Sequence, residues 1–178
     1  TIKCLRNITA QSLPADTKFD IYIVDGGSTD GTVESVKTQF PHVNIKTVDG
    51  VFWNRGMIEA WKMAEEKKRN GCNYDYYLWL NDDTFIYKDC IASLLRVSLL
   101  KKNRTIVLGS TVDTQTRSKL TYGGRDKTGK VARPSSDDSP VPVIMMNGNI
   151  VLVPHSVYKK LGTLDPYYTH ARGDFDYG

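Results

Sequence analysis

Residues Leu78 to Thr84 read LWLNDDT. The apolar run Tyr76-Tyr77-Leu78-Trp79-Leu80 passes straight into two adjacent carboxylates, Asp82 and Asp83. Its length and aromatic content predict a buried strand. Two like charges side by side cost free energy unless a cation or solvent relieves them. At the carboxyl end of a strand in an open α/β sheet they would face the crevice where ligands bind. Hard oxygen donors there suit Mg²⁺ or Mn²⁺ carrying a substrate diphosphate. Asn-Asp-Asp-Thr is also good turn and helix-capping chemistry, so the stretch alone leaves both readings open.

Working back from it, strands and helices alternate. Tyr74 to Leu80 is the third strand. Before it, Trp53-Asn54-Arg55-Gly56 opens a helix with Met57, Trp61 and Ala64 on one face, stopped by Asn70-Gly71. Val43 to Val48 is the second strand and Phe19 to Val24, FDIYIV, the first. The first is nearly all apolar, as a strand covered on both faces would be. Asp25 to Thr32, DGGSTDGT, leads from it into a helix marked by Val33, Val36 and Phe40. Such a glycine loop lets backbone approach a nucleotide closely, and it serves equally as a plain strand-to-helix turn. Ile2, Leu5 and Ile8 predict a helix over residues 1–12, broken at Leu13-Pro14-Ala15-Asp16.

Working forward, Ile91, Leu94 and Leu95 mark a helix ending near Lys101, and Thr105 to Leu108 reads as a fourth strand. The alternation predicts an α/β fold with a mostly parallel, doubly wound sheet flanked by helices. Beyond this the pattern changes. Leu120 to Tyr122 suits an edge strand. Gly123 to Pro142 is a polar loop bearing Arg125, Lys127, Lys130 and Arg133, of the length a lid would have. Val143 to Val153 predicts strands pairing around Asn147-Gly148-Asn149, and a helix runs from Pro154-His155 to Leu161.

The 178 residues, 40% hydrophobic, suffice for one domain with a full core. A formal net charge of +4 is compatible with anionic substrates or a lipid surface and does not argue for nucleic acid. Three cysteines, Cys4, Cys72 and Cys90, lie far apart without a CxxC, which predicts free thiols in a reducing compartment. Gly124 to Lys130 fits GxxxxGK, but Val131 stands where a phosphate loop needs Ser or Thr, and Pro134 precludes a helix start. A GxGxxG fingerprint is absent from the sequence.

Taken as an ordered set, these motifs resemble family 2 glycosyltransferases of the GT-A fold. IVDGGSTDGT (Ile23 to Thr32) is similar to the family's first loop, WNRGM (Trp53 to Met57) to its turn before the second helix, and LNDDT (Leu80 to Thr84) to its DxD-type metal site. GNIVLVPHSVYKKLGTLDPYY followed by RGDFDYG resembles the acceptor half. The resemblance implies inverting, metal-dependent transfer of a sugar from a nucleotide-diphosphate sugar to an acceptor hydroxyl. It assigns Asp83 to the Mg²⁺ or Mn²⁺ ion and Asp82 to the nucleoside ribose. Asp25 and Gly26 go to the nucleotide, Asn54, Asn147 and Arg172 to substrate contacts, and Asp174 to the base that takes the acceptor proton. Tyr167, Tyr168, Phe175 and Tyr177 would offer aromatic faces to an acceptor sugar.

The partners so implied are a nucleotide-diphospho-sugar donor and a carbohydrate or lipid-linked acceptor, with room for peripheral membrane contact. The setting is cytoplasmic, at the inner face of the membrane, in surface polysaccharide synthesis. The organisation implied is a single domain over 1–178. Residues 1–110 form its nucleotide-sugar half and 111–178 its acceptor half, incomplete at both ends because the family's first strand would precede Thr1. Gly26 departs from the family, which carries an acid there. The rivals are a sugar nucleotidyltransferase and a non-catalytic binding domain of the same fold.

Overall fold

The computed structural model describes residues 1–69, 71, 73–137 and 139–178. The helix stop expected at Asn70 and the thiol of Cys72 lie outside the described residues. Strand β1 (Tyr22–Asp25) pairs in parallel with β2 (Asn44–Thr47), and α2 (Thr32–Gln39) makes the crossover between them. Helix α1 (Ile2–Thr9) lies over this unit. Leu5 packs there against Val36, Phe40 and Val43. The long α3 (Trp53–Arg69) packs on β1.

Strand β3 (Tyr76–Leu80) carries the run that ends at the carboxylate pair, and α4 (Cys90–Leu100) follows it. Next come the short strands β4 (Val107–Leu108), β5 (Gly124–Arg125) and β6 (Met145–Met146). Last are β7 (Ile150–Pro154) and helices α5 (His155–Leu161) and α6 (Gly173–Tyr177). Each strand and helix read from the first two-thirds of the sequence is present, trimmed by a few residues.

The sheet itself differs from the expectation. Among the described residues it is three hydrogen-bonded pieces, with β7 seated between β3 and β4 and antiparallel to both. The cause is in β7, whose five residues are all buried. Val151 and Val153 face a core built with Trp61, Tyr77, Trp79, Leu164 and Tyr177. Ile150 and Leu152 face another, with Ile91, Leu94 and Val107. Each such aliphatic side chain contributes about 1.5–3 kcal/mol on burial. A strand apolar on both faces gains most at the centre of a sheet, so β7 takes that position and separates β4 from β3.

The hairpin expected around Asn147-Gly148-Asn149 does not form either. Met145 and Met146 pair instead with Arg125 and Gly124, which gives the polar 123–142 segment an ordered base. Residues Leu120 to Tyr122 contribute a single bridge, Leu120 to Val112.

No hydrogen-bonded ladder joins β1 to β3 among the described residues. A cavity of about 490 Å³ lies between them, bordered by Ile21, Tyr22 and Ile23 on one side and Tyr77 and Trp79 on the other. Cys4 and Cys90 are free, and burial pushes both thiols up to about 11. No described helix is long and apolar enough to cross a membrane.

Candidate active site

The carboxylate pair stands on a turn just past β3. Both Asp82 and Asp83 are exposed, and the Asp82 side chain keeps 68% of its surface. The Thr1 hydroxyl donates to Asp82 Oδ2 at 2.5 Å. Preceding them, Asn81 is tied down twice. Its amide donates to the Asn149 carbonyl at 3.0 Å, and its Oδ1 accepts from Trp53 Nε1 at 2.7 Å. The pair is thus held out to solvent on a fixed base.

Asp25 ends β1 and is buried, at 6% exposure. Its Oδ2 accepts the amides of Gly27 and Ser28, each at 3.0 Å. The Ser28 hydroxyl, those two amides and the Thr47 hydroxyl hold its carboxyl below the usual carboxylate range, against the desolvation that opposes this. Asp25 therefore shapes the glycine loop from within. Because its folded value lies below the unfolded one near 3.9, its stabilisation is fully present above about pH 4. It is lost as pH falls through the folded value. Asp25→Asn is expected to cost about 1–3 kcal/mol at neutral pH. In denaturant titrations of both proteins, the gap should close below about pH 4, and a gap independent of pH contradicts this.

Gly26 is exposed, and a Cβ there would stand 2.9 Å from the Val51 carbonyl oxygen. The loop into α3 occupies the space that an acidic side chain at this position would need.

Asp174 lies in the first turn of α6, half-buried. Its Oδ2 accepts the Gly148 amide at 2.9 Å and its Oδ1 the Phe175 amide at 3.0 Å. No ion pair with Arg172 or His170 forms among the described residues. Because residues 173–177 are helical, Asp174 and Asp176 diverge, and Asp176 is exposed. Arg172, the residue before the helix, is exposed in the left-handed region at φ 74°.

Asn147 is half-buried, and its Oδ1 accepts from Arg125 Nε at 3.2 Å. The same guanidinium lies 5.6 Å over the Phe175 ring. Of the expected acceptor aromatics, Tyr167 is exposed and Tyr177 belongs to the core.

Asn54, expected at a substrate contact, is engaged by the protein's own backbone. It is wholly buried, and its Nδ2 donates to the carbonyls of Asp165 (2.9 Å) and Tyr168 (2.6 Å). Sequence reasoning also passed over Trp53, Gly148 and the exposed Phe52–His170 edge-to-face pair, whose centroids are 5.1 Å apart. The one available signal was Gly148 itself, a glycine between apolar segments that marks a close backbone approach. A Cβ on it would fall 2.5 Å from the Trp53 ring.

No group of three or more His, Cys, Asp or Glu among the described residues is arranged to hold a metal ion. Asp82 and Asp83 alone offer hard oxygens at the strand end. Two carboxylates suit Mg²⁺ or Mn²⁺ only when further oxygen donors, such as those of a diphosphate, complete the shell.

A mixed α/β fold with a glycine loop after one strand and a carboxylate pair after another is compatible with the nucleotide-diphospho-sugar transferase class, the GT-A fold. The chain belongs to glycosyl transferase family 2, whose pattern matches residues 1–149. Asp174 thus lies outside the matched stretch. Among solved structures, a mannosyltransferase from Pyrobaculum calidifontis in complex with GDP-Man and Mn²⁺ is similar in fold, with a TM-score of 0.52 and 17% identity. That similarity covers 92% of this chain and 43% of the other, so the chain spans less than half the length of the relative. No curated protein matches the chain at a significant level.

Proposed function

We propose that the enzyme transfers a sugar, with inversion, from a nucleotide-diphosphate sugar to an acceptor hydroxyl. The observation that carries this reading is Asp174, whose Oδ2 accepts the amide of Gly148, next in sequence to Asn149, the residue that anchors the Asp82–Asp83 turn, while its Oδ1 accepts the Phe175 amide. Donor and acceptor chemistry then meet across one short segment, 147–149.

Asp174 takes the proton from the acceptor hydroxyl as that oxygen bonds to the anomeric carbon. The bond from the carbon to the diphosphate oxygen breaks in the same step, and its electron pair leaves with the diphosphate. A carboxylate already holding two amide hydrogen bonds is fixed in direction, so little reorganisation accompanies proton transfer. Asp83 would hold Mg²⁺ or Mn²⁺, which when bound supplies positive charge against the departing diphosphate, and Asp82 would face the nucleoside ribose. Asp25 keeps the glycine loop in the shape that receives the nucleotide. Gly26 presents only backbone there, so base selection is expected to be looser than in relatives with an acid at that position. The acceptor is a carbohydrate or lipid-linked hydroxyl, and surface polysaccharide synthesis at the inner membrane face is the setting that fits it.

The test is which small product appears. Incubation of the full-length protein with nucleotide sugars and Mn²⁺ is expected to release nucleoside diphosphate. Release of pyrophosphate from a nucleoside triphosphate and a sugar phosphate would make it a nucleotidyltransferase. Donor binding without any turnover would make it a binding domain.

A further inference from the structure

We infer that Trp53 and Asn54, adjacent at the start of α3, are positioning residues that set where the Asp174 carboxylate stands relative to the Asp82–Asp83 turn. The inference rests on the reading of Asp174 as the base.

Each residue reaches one side of the site. Trp53 donates from Nε1 to Asn81 Oδ1 at 2.7 Å, directly before the carboxylate pair. Its ring also packs edge-on to Trp79 of β3, the strand that delivers that pair, with centroids 6.2 Å apart. The six-membered ring of the indole lies against Gly148, where a Cβ would come within 2.5 Å of Trp53 Cζ2 and 3.3 Å of Asp174 Cβ. Gly148 is the residue whose amide holds Asp174 Oδ2. One indole therefore bears on the metal-side turn and on the hydrogen bond to the base.

Asn54 acts on the chain that leads to the same carboxylate. Its Nδ2 gathers the carbonyls of Asp165 and Tyr168, the turn that leads into α6. Its Oδ1 is buried with no hydrogen-bond partner among the described residues. That oxygen abuts Gly173, where a Cβ would fall 1.8 Å from it. A buried polar atom left unpaired carries a free-energy cost. Here that cost accompanies a close seat for Gly173 that no side chain at 173 permits. Seating Gly173 fixes the start of α6, and Asp174 is the next residue. A misplacement of about 1 Å in a reacting group lowers turnover by up to roughly 10²-fold, so rigid packing at this point has catalytic consequences.

Trp53→Phe keeps an aromatic ring but removes the bond to Asn81 and the indole edge that lies against Gly148; Asn54→Ala removes the clamp. In the full-length enzyme we expect Trp53→Phe to lower kcat about tenfold or more for nucleoside diphosphate release from GDP-mannose or UDP-glucose. Calorimetric affinity for GDP and UDP should stay within about twofold. In the Asp174→Asn background the same substitution should cost little further, because the two act through one group. Equal fold-losses in both backgrounds would overturn the inference and leave a structural role only. Unchanged kcat in Trp53→Phe and Asn54→Ala, with Asp174→Asn inactive, overturns it while sparing the base reading. Active Asp174→Asn overturns the base reading itself. Independently of donor, the Gly148 amide proton resonance should move in Trp53→Phe towards its position in Asp174→Asn. A resonance that stays at the wild-type position overturns the inference, including where Asn54→Ala does not fold.

Discussion

Asp174→Asn is expected to lower sugar transfer by about 10² to 10⁴-fold, the range by which a positioned base accelerates proton transfer, with donor affinity retained. The substitution is close to isosteric. The Asn carbonyl accepts one of the two amides that hold the carboxylate, Gly148 or Phe175. The other amide then faces the new NH₂, which costs on the order of 1–3 kcal/mol, so thermal midpoints are measured alongside. What the variant loses is the capacity to take a proton. The effect therefore falls on kcat and on kcat/KM alike, the signature of an interaction made in the transition state. Asp176 turns away to solvent from the same helix, and Asp176→Asn is expected to stay within a few-fold of wild type. If Asp176→Asn is the inactive variant, the base has been misassigned.

The second large effect is expected at Asp83. Asp82 and Asp83 are both exposed at the end of β3, and no third metal-ligating side chain joins them among the described residues. A cation held by so few protein oxygens depends on the diphosphate to complete its shell. Metal and nucleotide binding are then one linked event. In calorimetry, Mn²⁺ should strengthen GDP or UDP binding to the wild type, about tenfold or more, and that enhancement should vanish in Asp83→Ala. Nucleotide binding without metal should change little, since the glycine loop and Asp25 are intact. An Mn²⁺ effect that survives the substitution would place the cation elsewhere.

Much of this architecture is legible in the sequence because local signals agree with the fold. The β1–α2–β2 unit follows from an apolar run, a glycine loop and helical spacing, and it forms with the parallel register that the pattern implies. LWLNDDT becomes a strand ending in two exposed carboxylates, because aromatic residues gain from burial and charges do not. The acceptor half is less legible for a physical reason. Its strands β5 and β6 are two residues long, too short to show a period of two. Their pairing depends on partners 20 or more residues away. β7 is apolar on both faces, a property that says it is buried without saying between which strands.

Asn54 shows the same limit within the site. Its amide holds the 165–168 turn, more than 100 residues away in sequence, a contact that no local pattern announces. Trp53 looks like core from its chemistry. Its Nε1–H finds Asn81 through a loop that the sequence alone does not place.

The stereochemistry of the product tests the central claim most directly. The full-length enzyme, given an α-linked nucleotide-diphosphate sugar, Mn²⁺ and a panel of saccharide acceptors, is followed by proton NMR at the anomeric signals. A single displacement assisted by Asp174 predicts a β-linked product together with free nucleoside diphosphate. An α-linked product, formed with retention, would contradict it.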